Sequence, residues 1–280
     1  MNLNDILWFT LILKVPNPLN WLGELQIAFC EERNIMETLI RELEKLNVEY
    51  ALEKTRLVVN GNLDLSGTDI DHLPEGLIIF GDLDLTGTSI RELPEGLTVS
   101  GTLNLRNTDV KVLPEGLTVG GSIYLQFSAI ETLPEGLTIF GDLCLYNTAI
   151  ETLPDGLSVG GTLKLFFTNV KVLPKGLTVG DSLILANTDV KELPEGLTVG
   201  DSLDLSNSMI KELPEGLTVG GSLDLSNSMI KELPANLSVG NNLYLYNTDI
   251  EEIPANLSVS GYLYLYNTDI EEIPANLRCR

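Results

Sequence analysis

Histidine is nearly absent from this 280-residue chain, which carries only His72, and cysteine is scarce: Cys30, Cys144 and Cys279 lie far apart with no CxxC pair. These spacings fit neither a disulfide framework nor a zinc site, and a metal centre has no second imidazole to draw on. So few cysteines suit a reducing, cytoplasmic setting, although a disulfide-free secreted protein has the same composition. Positive charge is also in short supply, with 17 Lys and Arg against 40 Asp and Glu, a formal net charge of −23. Most of the imbalance, 31 acids against 11 bases, falls in residues 61–280. Such a surface repels phosphates and anionic headgroups, so neither nucleic acid nor a membrane is expected as a partner. The apolar run at residues 6–13 (ILWFTLIL) is too short to span a bilayer, and no basic n-region or small-residue cleavage site accompanies it. No phosphate-cradling GxxxxGK[ST] loop occurs, and no carboxylate pair stands out among so many acids. Catalytic residues, cofactors and metals are therefore not expected.

What is present is a beat. Pro74, Pro94, Pro114 and onward to Pro274 recur every 20 residues through eleven phrases without an insertion or deletion. A strict period of this length marks a solenoid, in which each phrase is one coil stacked on its neighbours. In residues 201–220, Leu203 and Leu205 alternate with Ser202, Asp204 and Ser206, the period-2 pattern of a strand with one buried face. Ile210, Leu213, Leu217 and Val219 complete six apolar positions per coil. One coil alone cannot offset the entropy of ordering its backbone, so several must fold together. The column of Gly76, Gly96 and onward to Gly216, which becomes Asn236, Asn256 and Asn276, reads as a left-handed turn position. The column beginning Thr68, Thr88 and Thr108 reads as a hydroxyl ladder bonded to the turn backbone.

The phrase LxLxx(T/S)xIxxLPxxL resembles the leucine-rich repeat in its short, 20-residue bacterial form, and residues 57–280 are similar to the repeats of secreted leucine-rich repeat effectors. The resemblance implies a curved solenoid with a parallel sheet on one face that binds other proteins, and it extends to no catalytic domain. The pattern departs from that family at two points. Thr or Ser replaces the ladder Asn, which sits one place earlier at Asn107, Asn147, Asn187 and Asn207. The family's first Leu falls on Gly200 and its equivalents. The expected fold is thus an α/β-poor repeat solenoid, leucine-rich-repeat-like, with a parallel β-sheet and a short helical N-terminal cap. A flatter, parallel β-helix-like solenoid is the alternative.

Three segments are expected: an N-terminal extension over 1–34, a helical cap over 35–56 and the solenoid over 57–280. Met36, Leu39, Ile40, Leu43 and Leu46 fall on one helical face; Asn34 and Glu37 match a capping box, and Asn47 marks the exit. Glu31-Glu32-Arg33 just before Met36 fits purine-rich codons of a bacterial ribosome-binding site, so translation is expected to start at Met36.

With the scaffold set, information resides in the columns pointing away from the core: 62, 64 and 66 with every twentieth residue after, joined by the turn column at 67. Seven of the eight tyrosines lie there. A central cluster comprises Tyr124, Phe127, Tyr146, Phe166 and Phe167, with Arg106, Gln126 and Lys164 beside it. A C-terminal cluster comprises Tyr244, Tyr246, Tyr262, Tyr264 and Tyr266. Exposed aromatics on a rigid scaffold are typical binding anchors. The expected function is a non-enzymatic protein–protein interaction module, cytoplasmic or a secreted effector, whose partner is an unidentified protein. Alternatives are a structural solenoid that self-associates end to end through its C-terminal edge, and an acidic decoy for a basic partner.

Overall fold

The structure is a computed structural model that describes residues 22–53, 56–275 and 277. The apolar run at 6–13, both tryptophans, Asn276 and Cys279 lie outside the described residues.

Helix α1 spans Leu22–Lys45. It begins well before the capping box expected at Asn34, so the boundary placed between residues 34 and 35 falls inside a helix. Residues 24–33 (ELQIAFCEER) are mostly good helix formers. Glu37, instead of closing a box on Asn34, accepts a bond from Arg33 one turn earlier at 2.8 Å. The exit is a Schellman motif: Asn47 is left-handed (φ 54), its N–H donates to the Glu44 carbonyl, and the Val48 N–H donates to the Leu43 carbonyl at 2.9 Å. Met36, Leu39 and Leu43 are buried against the first coil, whereas Leu46, expected on the same face, is exposed. The Glu32 carboxylate accepts from the Glu75 N–H at 3.0 Å, tying the helix to the first proline turn. No helix among the described residues is long and apolar enough to cross a membrane.

A hairpin follows. Strand β1 (Tyr50–Glu53) pairs antiparallel with β2 (Arg56–Val59), and β2 pairs parallel with β4 (Ile78–Ile79) in the 20-residue register. The antiparallel β1 thereby covers an edge that would otherwise present unpaired backbone groups. From here each coil contributes two short strands on two files. The first file runs unbroken from β3 (Leu63–Asp64) to β23 (Leu263–Tyr264) as an eleven-stranded parallel sheet. The second begins with β2 and β4 and is split: β8 (Thr118–Val119) ends a five-stranded sheet and β10 (Thr138–Ile139) starts a seven-stranded one. A cleft of about 240 Å³ lies at the split, lined by Leu117, Val119, Leu137 and Phe140 among others. Opposite, the same two coils are drawn together by Ala129 N–H to the Thr108 carbonyl (3.0 Å), Glu131 N–H to the Lys111 carbonyl (2.9 Å) and a Lys111–Glu131 ion pair (2.7 Å).

The six apolar positions per coil form one continuous core; in residues 201–220 all six are at most 8% exposed. The hydroxyl column is structural at its threonines: Thr68 Oγ1 donates to the Leu65 carbonyl at 2.6 Å, and Thr88, Thr108, Thr148, Thr168 and Thr188 repeat the bond, whereas the buried Ser208 and Ser228 hydroxyls have no partner and do not extend the ladder. Glycines 76 to 216 of the proline turn, and Asn236, have φ between 62° and 78°, whereas Asn256, expected at the same left-handed position, does not have a positive φ. The molecule is a leucine-rich-repeat-like solenoid of parallel strands, with a second short strand file that the family phrase does not foretell.

Candidate protein-binding face

The columns beside the first file differ in how free they are. Column 62 is not open to a partner up to residue 242; Tyr262, at its end, is exposed. Its side chains accept a backbone N–H from the next coil: Asn62 from Asp82, Asp82 from Thr102, Ser122 from Asp142, Asp142 from Thr162, Ser202 from Ser222, and Asn242 from Tyr262. Every residue from 62 to 242 in this column has a side-chain oxygen, which explains a restriction that a free surface would not impose.

Column 64 does a different job. Asp64, Asp84, Asn104, Asp204 and Asp224 each accept the N–H two residues ahead, closing an Asx turn at the strand end. Ser66 holds the Asp64 carboxyl below the usual range through its hydroxyl and N–H. Four consecutive coils abandon this turn, carrying Tyr124, Cys144, Lys164 and Ile184 instead, and the last two carry Tyr244 and Tyr264. Each replacement forgoes a local bond worth about 0.5–1.5 kcal/mol.

Column 67 is left-handed in every coil, with φ from 53° to 67°. Nine of its eleven residues are Gly or Asn, the types that tolerate this conformation. The other two are Phe127 (φ 61) and Phe167 (φ 57), bulky side chains that pay about 1–2 kcal/mol each to sit there. Burial does not explain them, since they are 54% and 56% exposed.

Both rings belong to the central cluster. Tyr146 stacks on Phe166 with centroids 4.3 Å apart; Phe127 meets Tyr146 edge-on at 5.6 Å, and Phe167 meets Phe166 edge-on at 5.8 Å. The Arg106 guanidinium lies 4.5 Å from the Tyr124 ring centre, a cation–π contact. Gln126, expected on the surface, is buried at 4% exposure, because neighbouring coils stand only about 4.8 Å apart and their large side chains close over it. Its amide oxygen has no hydrogen-bond partner, nor has Arg106 Nε in the adjacent coil. The structure thus brings together Arg106, Tyr124, Gln126, Phe127, Tyr146, Lys164, Phe166 and Phe167. It adds Cys144, which columns of aromatics alone did not single out. Burial pushes the Cys144 thiol up, with Lys164 and Arg106 opposing and Asp142 reinforcing the shift.

At the C-terminal cluster, Tyr244 stacks on Tyr264 at 4.7 Å, with Tyr246 and Tyr262 tilted against Tyr264 at 5.7 and 6.2 Å. Tyr266 is 76% exposed. Desolvation chiefly, with Tyr264, Tyr244 and Asp224 nearby, raises the Tyr246 hydroxyl. Ile184, Ala186, Asp204 and Asp224 separate the two clusters along the face. The exposed Phe80 and Phe140, beyond the second file, also escaped the sequence reading. The one clue legible beforehand was column 67, where Phe interrupts a file of Gly and Asn. Among the described residues, no group of three or more His, Cys, Asp or Glu side chains is placed to hold a metal ion.

Neither a protein-family model nor a curated protein matches the chain. Among solved structures the fold is similar to YopM from Yersinia enterocolitica WA-314, with a TM-score of 0.39 and 19% identity over 78% of this chain and 63% of that one. It is also similar to YopM, a leucine-rich effector protein from Yersinia pestis, with a TM-score of 0.44 and 16% identity over the whole of both chains. The chain therefore spans 63% of the length of the first of these structures.

Proposed function

We propose that this chain is a non-catalytic protein-binding module whose partner rests on the first strand file between Arg106 and Phe167. The observation that carries this reading is the pair of half-exposed phenylalanines in left-handed backbone. Their strain brings no burial in return, and strain held at an exposed site is characteristic of function. The abandoned Asx turns in the same coils and the rigid stacked rings point the same way, because aromatics fixed on a scaffold lose little entropy on binding. The C-terminal tyrosines form a second aromatic surface on the same file.

The test is capture of a partner from a cell lysate by the wild-type chain and by the Tyr146→Ala/Phe166→Ala variant, washed at low and moderate salt. Loss of a specific band in the variant, with the wild-type complex surviving salt, supports the reading. Equal capture by both removes the central cluster as the binding face, and a complex that salt alone disperses leaves a charge-driven decoy in its place.

A further inference from the structure

Resting on that reading, we infer that the segment bound at the central cluster is extended and acidic, carrying two carboxylates about four residues apart with an apolar side chain between them. Arg106 and Lys164 are the only basic residues in columns 62, 64, 66 and 67, whose other charged members, such as Asp64, Asp84, Asp204 and Asp224, are all acidic. They stand at the two ends of the cluster, three coils apart, which at about 4.8 Å per coil is about 14 Å. Both act on the Cys144 thiol that lies between them.

Among the described residues Arg33, Arg91, Lys111 and Lys231 have carboxylate partners, whereas Lys171, Lys175, Lys191 and Lys211 form no ion pair, so it is their place on the aromatic face that sets Arg106 and Lys164 apart. Arg106 and Lys164 form no ion pair among the described residues. In column 62, Asp142 one coil before Lys164 accepts the Thr162 N–H, and Asp82 one coil before Arg106 accepts the Thr102 N–H. An extended segment laid along the solenoid advances about 3.4 Å per residue, so side chains at positions 1 and 5 span about 14 Å and point to the same side as position 3. Acids at 1 and 5 meet Arg106 and Lys164, and an apolar residue at 3 meets Phe127, Tyr146 and Phe166.

The probe is the acetylated pentapeptide Glu-Ser-Phe-Ser-Glu, displayed in many copies on a biosensor surface beside Gln-Ser-Phe-Ser-Gln and Lys-Ser-Phe-Ser-Lys. The acidic peptide is expected to bind the full chain about tenfold tighter than the neutral one, the worth of one charge-assisted contact, and the basic one not at all. Arg106→Gln/Lys164→Gln should erase the difference while Lys211→Gln, outside the cluster, keeps it. Arg106→Glu/Lys164→Glu should transfer the preference to the basic peptide, an outcome that a misfolded variant cannot produce. Equal binding of all three peptides, lost on Tyr146→Ala/Phe166→Ala, overturns the acidic motif and leaves the binding face standing. Binding of none overturns the motif, with the face still judged by partner capture. A dimer in light scattering that Arg106→Gln/Lys164→Gln dissociates would assign the acidic segment to a second copy and overturn a separate partner.

Discussion

Replacing Phe127 or Phe167 by Asn, the residue found at the same place in seven other coils, separates a scaffold role from a binding role. Returning a left-handed position to Asn releases about 1–2 kcal/mol of backbone strain. Against that stands the loss of a ring that is 54% exposed at Phe127, roughly 1 kcal/mol of transfer free energy, and of its edge contact to Tyr146, about 0.5–1.5 kcal/mol. The sum lies within about 1.5 kcal/mol of zero for each ring, small beside the roughly 2–5 kcal/mol of a core truncation such as Leu165→Ala. Urea unfolding followed by far-ultraviolet circular dichroism reads the difference as a shift in midpoint at constant slope. The expected result is an almost unmoved midpoint for Phe127→Asn and Phe167→Asn, together with partner affinity weakened by about tenfold or more. A stability loss above about 3 kcal/mol from either substitution would show that the rings hold the coils together, and the strain would no longer speak for binding.

Other consequences are more local. Gly180→Ala should cost about 1–3 kcal/mol, because a Cβ there meets the Gly160 carbonyl of the preceding coil, and thermal unfolding reads it. Asp142→Ala should cost about 1 kcal/mol by orphaning the Thr162 N–H, whereas Asp142→Asn, which keeps the acceptor, should be near neutral. In the folded protein iodoacetamide should modify the exposed Cys30 and spare Cys144, whose thiol is buried and whose raised pKa keeps it protonated near neutral pH. Peptide mapping that finds Cys144 labelled as fast as Cys30 would contradict its burial.

The period, the six-residue core and the hydroxyl column were legible in the amino-acid order because a solenoid writes each contact as an identity 20 residues away. Leu203 stacks on Leu223 because both occupy the same step of successive coils. Column 62 looked free for the same reason that it is not. Asn, Asp, Ser and Thr appear interchangeable on a surface, and only the inter-coil hydrogen bonds reveal that an oxygen is required there. The burial of Gln126 was hidden likewise, since it depends on how its neighbours in adjacent coils lean. Helix α1 began earlier than Asn34 because a capping residue signals a start only when no helix-forming segment already precedes it.

The order of residues by itself determined that this chain is a stack of equal coils, which side chains face inward, and which columns differ from coil to coil. It did so because local alternation and a fixed period leave one way to bury the leucines. Tertiary structure alone decided that column 67 is left-handed throughout, that Phe127 and Phe167 are strained there without burial, and that Arg106 and Lys164 flank one aromatic cluster without carboxylate partners. Backbone dihedrals and side-chain reach across neighbouring coils are settled by stacking, and no single coil encodes them.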